Sequence, residues 1–286
     1  MTTEYSDHPN ASQVDYWNTT VGRTWARYHD ALDRQIAPLG AEAIRKLAPA
    51  RGECLLDVGC GCGHTTLELA HRVGTSGSIL GIDISAPMLE VAAARQVPAS
   101  SGRITFQQAD AQVAILGAES VDAIFSRFGV MFFSNPVAAF SNLRGTLIPG
   151  GRLAFVCWRP MESNPWMAEP MNAARPYMAA REPMDPTAPG PFAFADAALV
   201  RAILERAGFQ EVATTQFDAR IGGGTVDEAL ELALRVGPLG SAIRETPELM
   251  PQVAGPVRDV LARYETPQGV LMPASVWIVT GIKCHP

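Results

Sequence analysis

The feature of this sequence that most constrains its fold is a glycine-rich run directly after a short apolar segment. Glu53–Val58 has the length of a buried strand and leads into Gly59, Gly61 and Gly63, each separated from the next by a single residue. Apolar residues then recur at helical spacing over 67–73. Glycine is needed where the backbone takes a positive φ or passes close to a ligand, because a Cβ would collide there. The run therefore predicts a strand, a ligand-binding loop and a helix, with the ligand at the carboxyl end of the strand.

Strands and helices alternate at regular spacing as far as residue 158. The next predicted strands are Ser78–Ile82, Arg103–Gln107, Val121–Ser126 and Arg152–Trp158, with helices at Pro87–Gln96 and Pro136–Leu147. Later elements are a helix at Asp196–Ala207, a strand at Glu211–Asp218, helix over about 227–265 and a strand at Val276–Ile282. Such alternation is typical of a Rossmann-like, doubly wound and mostly parallel α/β sheet with right-handed crossovers.

Two segments lie outside this alternation. Residues 1–50 carry aromatic and aliphatic residues at helical intervals, which predicts N-terminal helices that cover the site. Residues 159–194 are crowded with proline, methionine and aromatic residues, and the prolines exclude one long helix. We therefore divide the chain into the N-terminal helical segment (1–50), a core (51–158), a cap insertion over the substrate (159–194) and the remainder of the core (195–286).

The composition excludes several classes of protein. The 286 residues are 47% hydrophobic and 18% charged, which is apolar enough for a folded core. The net charge of −6 lacks the cationic footprint of a nucleic-acid binder. No apolar stretch approaches the roughly 20 residues of a membrane span, and the N-terminal residues do not resemble a signal peptide. We expect a cytoplasmic protein without a nucleic-acid or membrane partner, present as a monomer or homodimer.

The residue spacing within the glycine-rich run disfavours two other kinds of site. A dinucleotide-binding loop reads G-x-G-x-x-G/A, but the sixth position counted from either of the first two glycines is His64 or Thr66. Cys60 and Cys62 are separated by one residue, whereas zinc sites use C-x2–4-C pairs with further ligands. NAD, FAD and metal sites are therefore disfavoured, and the five cysteines are expected to be free thiols.

The run at 55–63 resembles motif I of the class I S-adenosylmethionine-dependent methyltransferases, which reads hh-D/E-h-G-x-G-x-G. Further family motifs follow in order: the D-x-S-x-x-M-L pattern that starts at Asp83, the acid Asp110, the fourth strand at Val121–Ser126, and the turn at 147–153. The resemblance covers about residues 50–158 and is to the small-molecule branch, of the ubiquinone/menaquinone-biosynthesis type. It implies a seven-stranded sheet with a final antiparallel hairpin, and S-adenosylmethionine as the cofactor.

The resemblance also implies roles for individual residues. Asp83 would accept hydrogen bonds from both ribose hydroxyls of the cofactor, as acids at this position do in Rossmann sites, and Asp110 would face the adenine amino group. The residues expected to bind the cofactor are Trp25, Asp57, Gly59, Cys60, Gly61, Gly63, Thr65, Asp83, Ile84, Met88, Asp110, Ala111 and Ser126.

The acceptor side of the site is less well defined by the sequence. His29 is the candidate general base, because imidazole titrates near neutrality, and the alternative is a solvated helix histidine. Arg127 begins an apolar run, where a charge must be paired or point into the site. It would orient an acceptor carboxylate or phenolate, or else form a salt bridge with a nearby acid. The residues expected to contact the substrate are Tyr28, Phe128, Met131, Trp158, Trp166 and Met167.

These observations predict an enzyme that moves a methyl group from S-adenosylmethionine to a small acceptor of apolar or aromatic character. Positioning the two reactants in line and excluding water would supply much of the acceleration. Two alternatives remain: a catalytically silent methyltransferase-like binding subunit, and a nicotinamide-dependent oxidoreductase.

Overall fold

The computed structural model describes residues 9–179 and 185–285. Its strands are β1 (Cys54–Val58), β2 (Ser78–Asp83), β3 (Arg103–Gln108), β4 (Val121–Arg127), β5 (Leu147–Trp158), β6 (Gln210–Gly222), β7 (Glu265–Thr266) and β8 (Gly269–Ile282). Its α-helices are α1 (Ala11–Asn18), α2 (Thr20–Arg27), α3 (His29–Leu47), α4 (His64–Val73), α5 (Ala86–Ala94), α6 (Pro136–Thr146), α7 (Pro165–Ala174), α8 (Ala197–Arg206), α9 (Val226–Arg235), α10 (Gly237–Glu245) and α11 (Met250–Ala262).

The strands form one mixed sheet in the order β3-β2-β1-β4-β5-β8-β6. The first five strands of this order are parallel, whereas β8 runs antiparallel to both β5 and β6. The predicted Rossmann-like architecture with its final antiparallel pair is confirmed. The described sheet has eight strands and not seven, because the two-residue β7 also pairs with β8.

The strand prediction was accurate for β1 to β4 and too short for β5, β6 and β8. Strands β1 to β4 match the predicted bounds to within one residue, but β5 begins at Leu147 and β8 at Gly269. Parallel strands are buried on both faces and read as continuous apolar runs. The outer strand β6 alternates between exposed and covered positions and includes charged residues, so its full length carries a weaker signal.

The main core lies between this sheet and the helices packed on it. Phe125, Phe140, Phe155 and Phe194 are almost completely buried there, and Phe140 contacts both Phe155 and Phe194. Phe194 belongs to the segment 159–194, so the end of the expected cap insertion returns to the core. The prediction that the whole segment 159–194 forms a cap therefore includes residues that belong to the core. Residues 180–184 of the segment lie outside the described residues.

A second, smaller apolar cluster is formed by α7 together with α9, α10 and α11. Val253 and Val257 of α11 are fully buried in it, as is Ala174 of α7. The region 226–262, which we expected as part of the core, is therefore a helical cap that packs with the insertion. The helical region expected over about 227–265 contains three α-helices. Pro238 and Pro247 lie in the first turns of the helical segments that begin at the two breaks, where proline is favoured because no backbone N–H is needed.

The N-terminal helices are fastened to the loop between β2 and α5. The side-chain amide of Asn18 donates to Ile84 O at 2.8 Å and its oxygen accepts from Ala86 N at 2.9 Å. Ser85 Oγ also donates to Trp17 O at 2.8 Å. These bonds place α1 and α2 beside the carboxyl ends of the strands, where the glycine loop lies.

The described residues also bear on three sequence expectations. All five cysteines are free thiols, as the sequence predicted. Within 9–179 and 185–285, no cluster of three or more His, Cys, Asp or Glu side chains is arranged to hold a metal ion. No helix in those ranges is long and apolar enough to cross a membrane.

Candidate cofactor and acceptor site

The three glycines of the loop after β1 serve different purposes. Gly59, Gly61 and Gly63 have φ values of +66°, +55° and +82°, which disfavour any residue with a Cβ. A Cβ on Gly59 would lie 2.6 Å from the Cα of Gly129, so two backbones meet there. A Cβ on Gly63 would lie 3.0 Å from Ala92 Cβ, because this position packs α4 against α5. Of the three, Gly59 and Gly61 line the large cavity described below, whereas Gly63 does not.

Asp83 ends β2 and holds the glycine loop in place. Its Oδ2 accepts a hydrogen bond from Gly61 N and its Oδ1 accepts one from Ser85 N, both at 2.8 Å. Burial raises the pKa of Asp83, and the backbone N–H groups of Ser85, Gly61 and Ile84 oppose that shift. A carboxylate has about four acceptor positions, so acceptor capacity remains for a hydroxyl group in the cavity that Asp83 lines.

Asp57 lies below the loop and not in the cavity wall. Its Oδ2 accepts from Thr65 Oγ1 at 2.9 Å and from Thr66 Oγ1 at 2.7 Å, and the residue is fully buried. Burial raises the pKa of Asp57 to about 6, against the two threonine donors. The structure therefore gives Asp57 and its partner Thr65 a supporting contact between β1 and the first turn of α4, and does not place Asp57 where it would touch a cofactor.

Two further residues expected at the site do not line its cavities. Ser126 is fully buried, and its Oγ lies 3.1 Å from the place that a Cβ on Gly129 would occupy. The hydroxyl of Tyr28 donates to Glu231 Oε1 at 2.6 Å, which directs Tyr28 towards α9. This hydrogen bond raises the pKa of Tyr28. Tyr28 therefore joins the N-terminal segment to the helical cap and is not among the residues that face the acceptor.

A large cavity opens at the carboxyl ends of β1, β2 and β4. Its volume is about 1140 Å³, including the open mouth. Its lining includes the residues that we expected around a nucleoside: Gly59, Gly61, Asp83, Ile84, Asp110 and Ala111. Trp25 and Met88 line it as well. Asp110 is buried and its Oδ1 accepts from Gln112 N at 2.9 Å, which fixes the carboxylate after β3.

Another part of the lining of this large cavity is apolar. The expected substrate contacts Phe128, Met131, Trp158, Trp166 and Met167 all belong to it. Phe128 is stacked on Trp158 with ring centroids 4.1 Å apart and an interplanar angle of 11°, and Trp166 lies 5.0 Å from Trp158. Phe128 has a φ of +64°, a strained conformation for a residue with a bulky side chain. Stacking on Trp158 holds the Phe128 ring in the cavity lining despite this backbone strain.

A side branch with several polar residues adjoins the large cavity between the glycine loop and α3. Its polar lining consists of His29, Asp33, Cys60, Cys62, Thr65 and Arg127, and Arg127 lines the large cavity as well. Apolar residues complete the lining of this branch: Trp25, Leu32, Ile36, Met88 and Phe128. Burial raises the pKa of the Cys60 thiol well above its usual value and that of Cys62 to about 12. Both therefore stay protonated and do not act as thiolates.

Asp33 organises the charges of this side branch. Arg127 Nη2 donates to Asp33 Oδ1 at 2.6 Å, and Arg95 Nη2 donates to Asp33 Oδ2 at 2.7 Å. Arg95 Nε also donates to the carbonyl of Cys62 in the glycine loop. Gly40 makes room for the arrangement, since a Cβ there would lie 2.9 Å from Arg127 Cδ. Arg127 thus forms the salt bridge considered above and still reaches both cavities.

His29 lies in the side branch and not on the apolar wall. Its Nδ1 is 2.8 Å from Ala26 O and its Nε2 is 3.3 Å from Asp30 Oδ1. Both ring nitrogens therefore face oxygen atoms of the protein. The structure does not bring His29 to the place where an apolar acceptor would lie.

Several lining residues were not predicted. Asp33 gave no sequence signal, because its arginine partners are 62 and 94 residues away. The junction between α9 and the first turn of α10 also lines the cavity, through Val236, Gly237 and Pro238. That turn can be found from the Gly-Pro pair, but its position over the sheet depends on the packing of the whole helical cap.

The polar groups follow one another across four neighbouring strands. Asp110 follows β3, Asp83 ends β2, the glycine loop follows β1 and Arg127 ends β4, and these strands are adjacent in that order. An elongated ligand with a base at one end, a ribose in the middle and a charged group at the other end fits this row. The row lies at the carboxyl ends of a Rossmann-like sheet, which is where open α/β sheets bind their ligands.

Comparison with known proteins specifies the class further. Residues 56–155 match the methyltransferase domain family. It is 32% identical over 118 residues to the aklanonic acid methyltransferase DauC of Streptomyces sp. strain C5, covering 41% of this chain and 54% of that protein. It is 31% identical over 152 residues to the ubiquinone/menaquinone biosynthesis C-methyltransferase UbiE of Geotalea daltonii, covering 51% of this chain and 58% of that protein.

A solved structure supports the fold. The phosphoethanolamine N-methyltransferase 2 of Haemonchus contortus, in complex with phosphomonomethylethanolamine and S-adenosylhomocysteine, superposes with a TM-score of 0.55 at 15% identity. The superposition covers 95% of this chain and 59% of that one. In the sequence comparisons, the chain spans only about half the length of the relatives that it matches. The resemblance to small-molecule class I methyltransferases is confirmed, and the methyltransferase domain indicates S-adenosylmethionine as the cofactor.

Proposed function

We propose that this chain is an S-adenosylmethionine-dependent methyltransferase that acts on a small, largely apolar or aromatic acceptor. The observation that carries the proposal is that one cavity is lined by two unlike groups of residues. Gly61, Asp83 and Asp110 belong to the first group, and the aromatic residues Phe128 and Trp158 belong to the second. A nucleoside cofactor suits the first group and an apolar acceptor suits the second.

The fit to the cofactor rests on groups already in place. Asp83 keeps acceptor capacity for a ribose hydroxyl while it holds Gly61, and Asp110 with the following backbone suits the adenine. Gly61 leaves open the space that a side chain would fill. When bound, S-adenosylmethionine supplies a methyl group that is already activated on a sulfonium.

The protein's own contribution is position and exclusion of water. The stacked Phe128 and Trp158 present a rigid apolar surface, and Met131 and Met167 can adapt to the shape of an acceptor. Holding the acceptor against this wall brings its nucleophilic atom in line with the cofactor and removes competing water. This methyl transfer requires neither a metal ligand nor a nucleophilic side chain of the protein.

The direct test is methyl transfer from a trideuteromethyl-labelled donor to a panel of phenols, quinols and β-dicarbonyl compounds, followed by mass spectrometry. We expect at least one apolar acceptor to gain the label, with S-adenosylhomocysteine formed in equal amount. Tight binding of S-adenosylhomocysteine without transfer to any member of a broad panel would favour a silent binding subunit.

Arg127 gives a prediction on the charged end of the cofactor. Because Arg127 lies at the end of the row in the polar side branch, we propose that it binds the carboxylate of the cofactor's amino-acid part and not an acceptor group. Arg127→Met should weaken S-adenosylhomocysteine binding about tenfold, the usual effect of losing one hydrogen bond to a charged group. Binding of 5′-methylthioadenosine, which lacks the amino-acid part, should stay the same. Equal loss for both ligands, or for neither, would contradict the assignment.

For His29 we predict that substitution has no effect on the pH dependence of the reaction. Since both of its ring nitrogens already face protein oxygens, we expect His29→Ala to leave the shape of the pH–rate profile unaltered. The measurement is kcat against pH for the parent and the variant with the same acceptor. A profile that flattens near neutrality would restore His29 as the general base.

A further inference from the structure

Arg95 binds the carboxylate oxygen of Asp33 that Arg127 leaves free. The two oxygens are divided between the two arginines: Oδ1 accepts from Arg127 Nη2 at 2.6 Å, and Oδ2 accepts from Arg95 Nη2 at 2.7 Å. All three side chains are largely buried. Because each oxygen has its own donor, the carboxylate cannot turn without losing one of the two bonds. The position of the Arg127 guanidinium therefore depends on Arg95.

A second contact fastens Arg95 to the glycine loop. Arg95 directly follows α5, and its Nε donates to the carbonyl oxygen of Cys62. Asp33 lines the side branch and Arg127 lines both cavities, but Arg95 is not among the described residues that line either one. A ligand in these cavities would therefore meet Arg127 directly and would be affected by Arg95 only through the residues that Arg95 holds.

Arg127 keeps N–H groups for a ligand while Asp33 holds it. A guanidinium has five N–H donors, and the bond to Asp33 uses one of them. Nη1 of Arg127 lies 3.5 Å from His64 Nδ1, and burial lowers the pKa of His64, so this neighbour is a neutral ring at neutral pH. The cluster of two arginines and one aspartate thus has one positive charge in excess, which suits an anionic group of a ligand.

We propose that Arg95 is a positioning residue for the cofactor, which acts through Asp33 to fix the Arg127 guanidinium where the carboxylate of the cofactor's amino-acid part binds. This rests on the proposed function and on the role given there to Arg127. A long side chain loses conformational freedom when it is fixed, and a side chain that is already fixed in the free protein loses less on binding. Arg95 should therefore affect the affinity for the amino-acid part of the cofactor and not that for its nucleoside part.

Arg95→Gln separates the two contacts of Arg95. The carboxamide nitrogen of glutamine stands at the same place along the side chain as Nε of arginine, so it can still donate to Cys62 O but does not reach Asp33. Binding of S-adenosylhomocysteine and of 5′-methylthioadenosine is measured by calorimetry on the full chain. We expect S-adenosylhomocysteine to bind about threefold to tenfold more weakly, which is at most the loss expected for Arg127→Met, and 5′-methylthioadenosine to bind as in the parent.

Two results of this experiment would overturn the proposal. Unchanged affinity for S-adenosylhomocysteine would show that Arg95 has no influence on the cofactor. Equal losses for both ligands would show that Arg95 acts through the shape of the glycine loop and not through Arg127. Failure of the parent itself to bind S-adenosylhomocysteine would instead remove the proposed function, so the two failures are distinguishable.

A double variant shows whether the effect of Arg95 passes through Arg127. In the presence of Arg127→Met, Arg95→Gln should cause no further loss of S-adenosylhomocysteine affinity, because the guanidinium that Arg95 positions is gone. Losses that multiply in the double variant would contradict the proposal. Arg127→Met that binds S-adenosylhomocysteine as tightly as the parent would contradict it as well.

Arg152→Gln is the matched control. Arg152 donates to Glu53 Oε2 at 2.8 Å and is also partly buried, but it lies near the start of β5, away from the carboxyl ends of the strands. This variant should bind both ligands like the parent. If Arg95→Gln fails to fold, Arg95→Lys takes its place, since it keeps the charge but replaces the planar guanidinium with a single ammonium group. The same selective loss is expected, and parent-like binding of both ligands would overturn the proposal.

Discussion

Gly61→Val is expected to weaken S-adenosylhomocysteine binding by more than about a hundredfold, a loss near 2.7 kcal/mol. Two effects act together. The φ of +55° at Gly61 is disfavoured for a β-branched residue, so the loop would shift away from Asp83. The added methyl groups would also occupy the cavity that Gly61 lines. Titration calorimetry of parent and variant measures the change.

The fold itself should survive this substitution. A Cβ at Gly61 meets only the terminal Cε of Met88, at 2.9 Å, and that end of a flexible side chain can move. Gly255→Val is the matched control, because Gly255 lies in α11 with nothing within 4 Å of the added Cβ. The control should bind like the parent. A Gly61→Val protein that binds within threefold of the parent would contradict the role given to this loop.

Asp33→Ala should destabilise the protein by about 3–5 kcal/mol, the usual effect of removing one partner from a buried ion pair. Arg95 and Arg127 would lose their shared carboxylate, and the side chains of both arginines and of Asp33 are at most 19% exposed. Thermal unfolding should shift down by roughly 6–15 °C.

An exposed ion pair on the same helix provides the comparison. Glu42 accepts from Arg45 one turn away, but the side chain of Arg45 is 64% exposed. Glu42→Ala should therefore change the free energy of unfolding by less than about 1 kcal/mol. If the two alanine variants unfold at the same temperature, Asp33 does not organise the side branch as described.

The sequence was sufficient for the parts of this molecule that depend on local patterns. The parallel strands β1 to β4 were predicted because each is a short apolar run between turn signals, and the loop because three glycines stand where only glycine fits. The position of Asp83 at the end of β2 follows from the strand alone. The position of Asp57 in the motif did not establish its role. A motif cannot show that the hydroxyl groups of Thr65 and Thr66 donate hydrogen bonds to the Asp57 carboxylate.

The acceptor side depends on contacts between distant segments and was predicted only in part. Phe128, Trp158 and Trp166 were recognisable as apolar residues near the carboxyl edge. Helices α9 to α11 could be predicted as helices, but their packing on α7 joins segments about 80 residues apart, which no local pattern encodes. Tyr28 was misplaced for the same reason, since Glu231 lies 203 residues further along the chain.

The central claim, a site for S-adenosylmethionine on this sheet, is tested most directly by calorimetric titration of the parent and Asp83→Ala with S-adenosylhomocysteine and with NADH. We predict that the parent binds S-adenosylhomocysteine and not NADH, and that Asp83→Ala binds it roughly tenfold to a hundredfold more weakly, since a ribose hydroxyl loses a charged acceptor. Binding of NADH by the parent, or S-adenosylhomocysteine affinity unchanged by Asp83→Ala, would contradict the account.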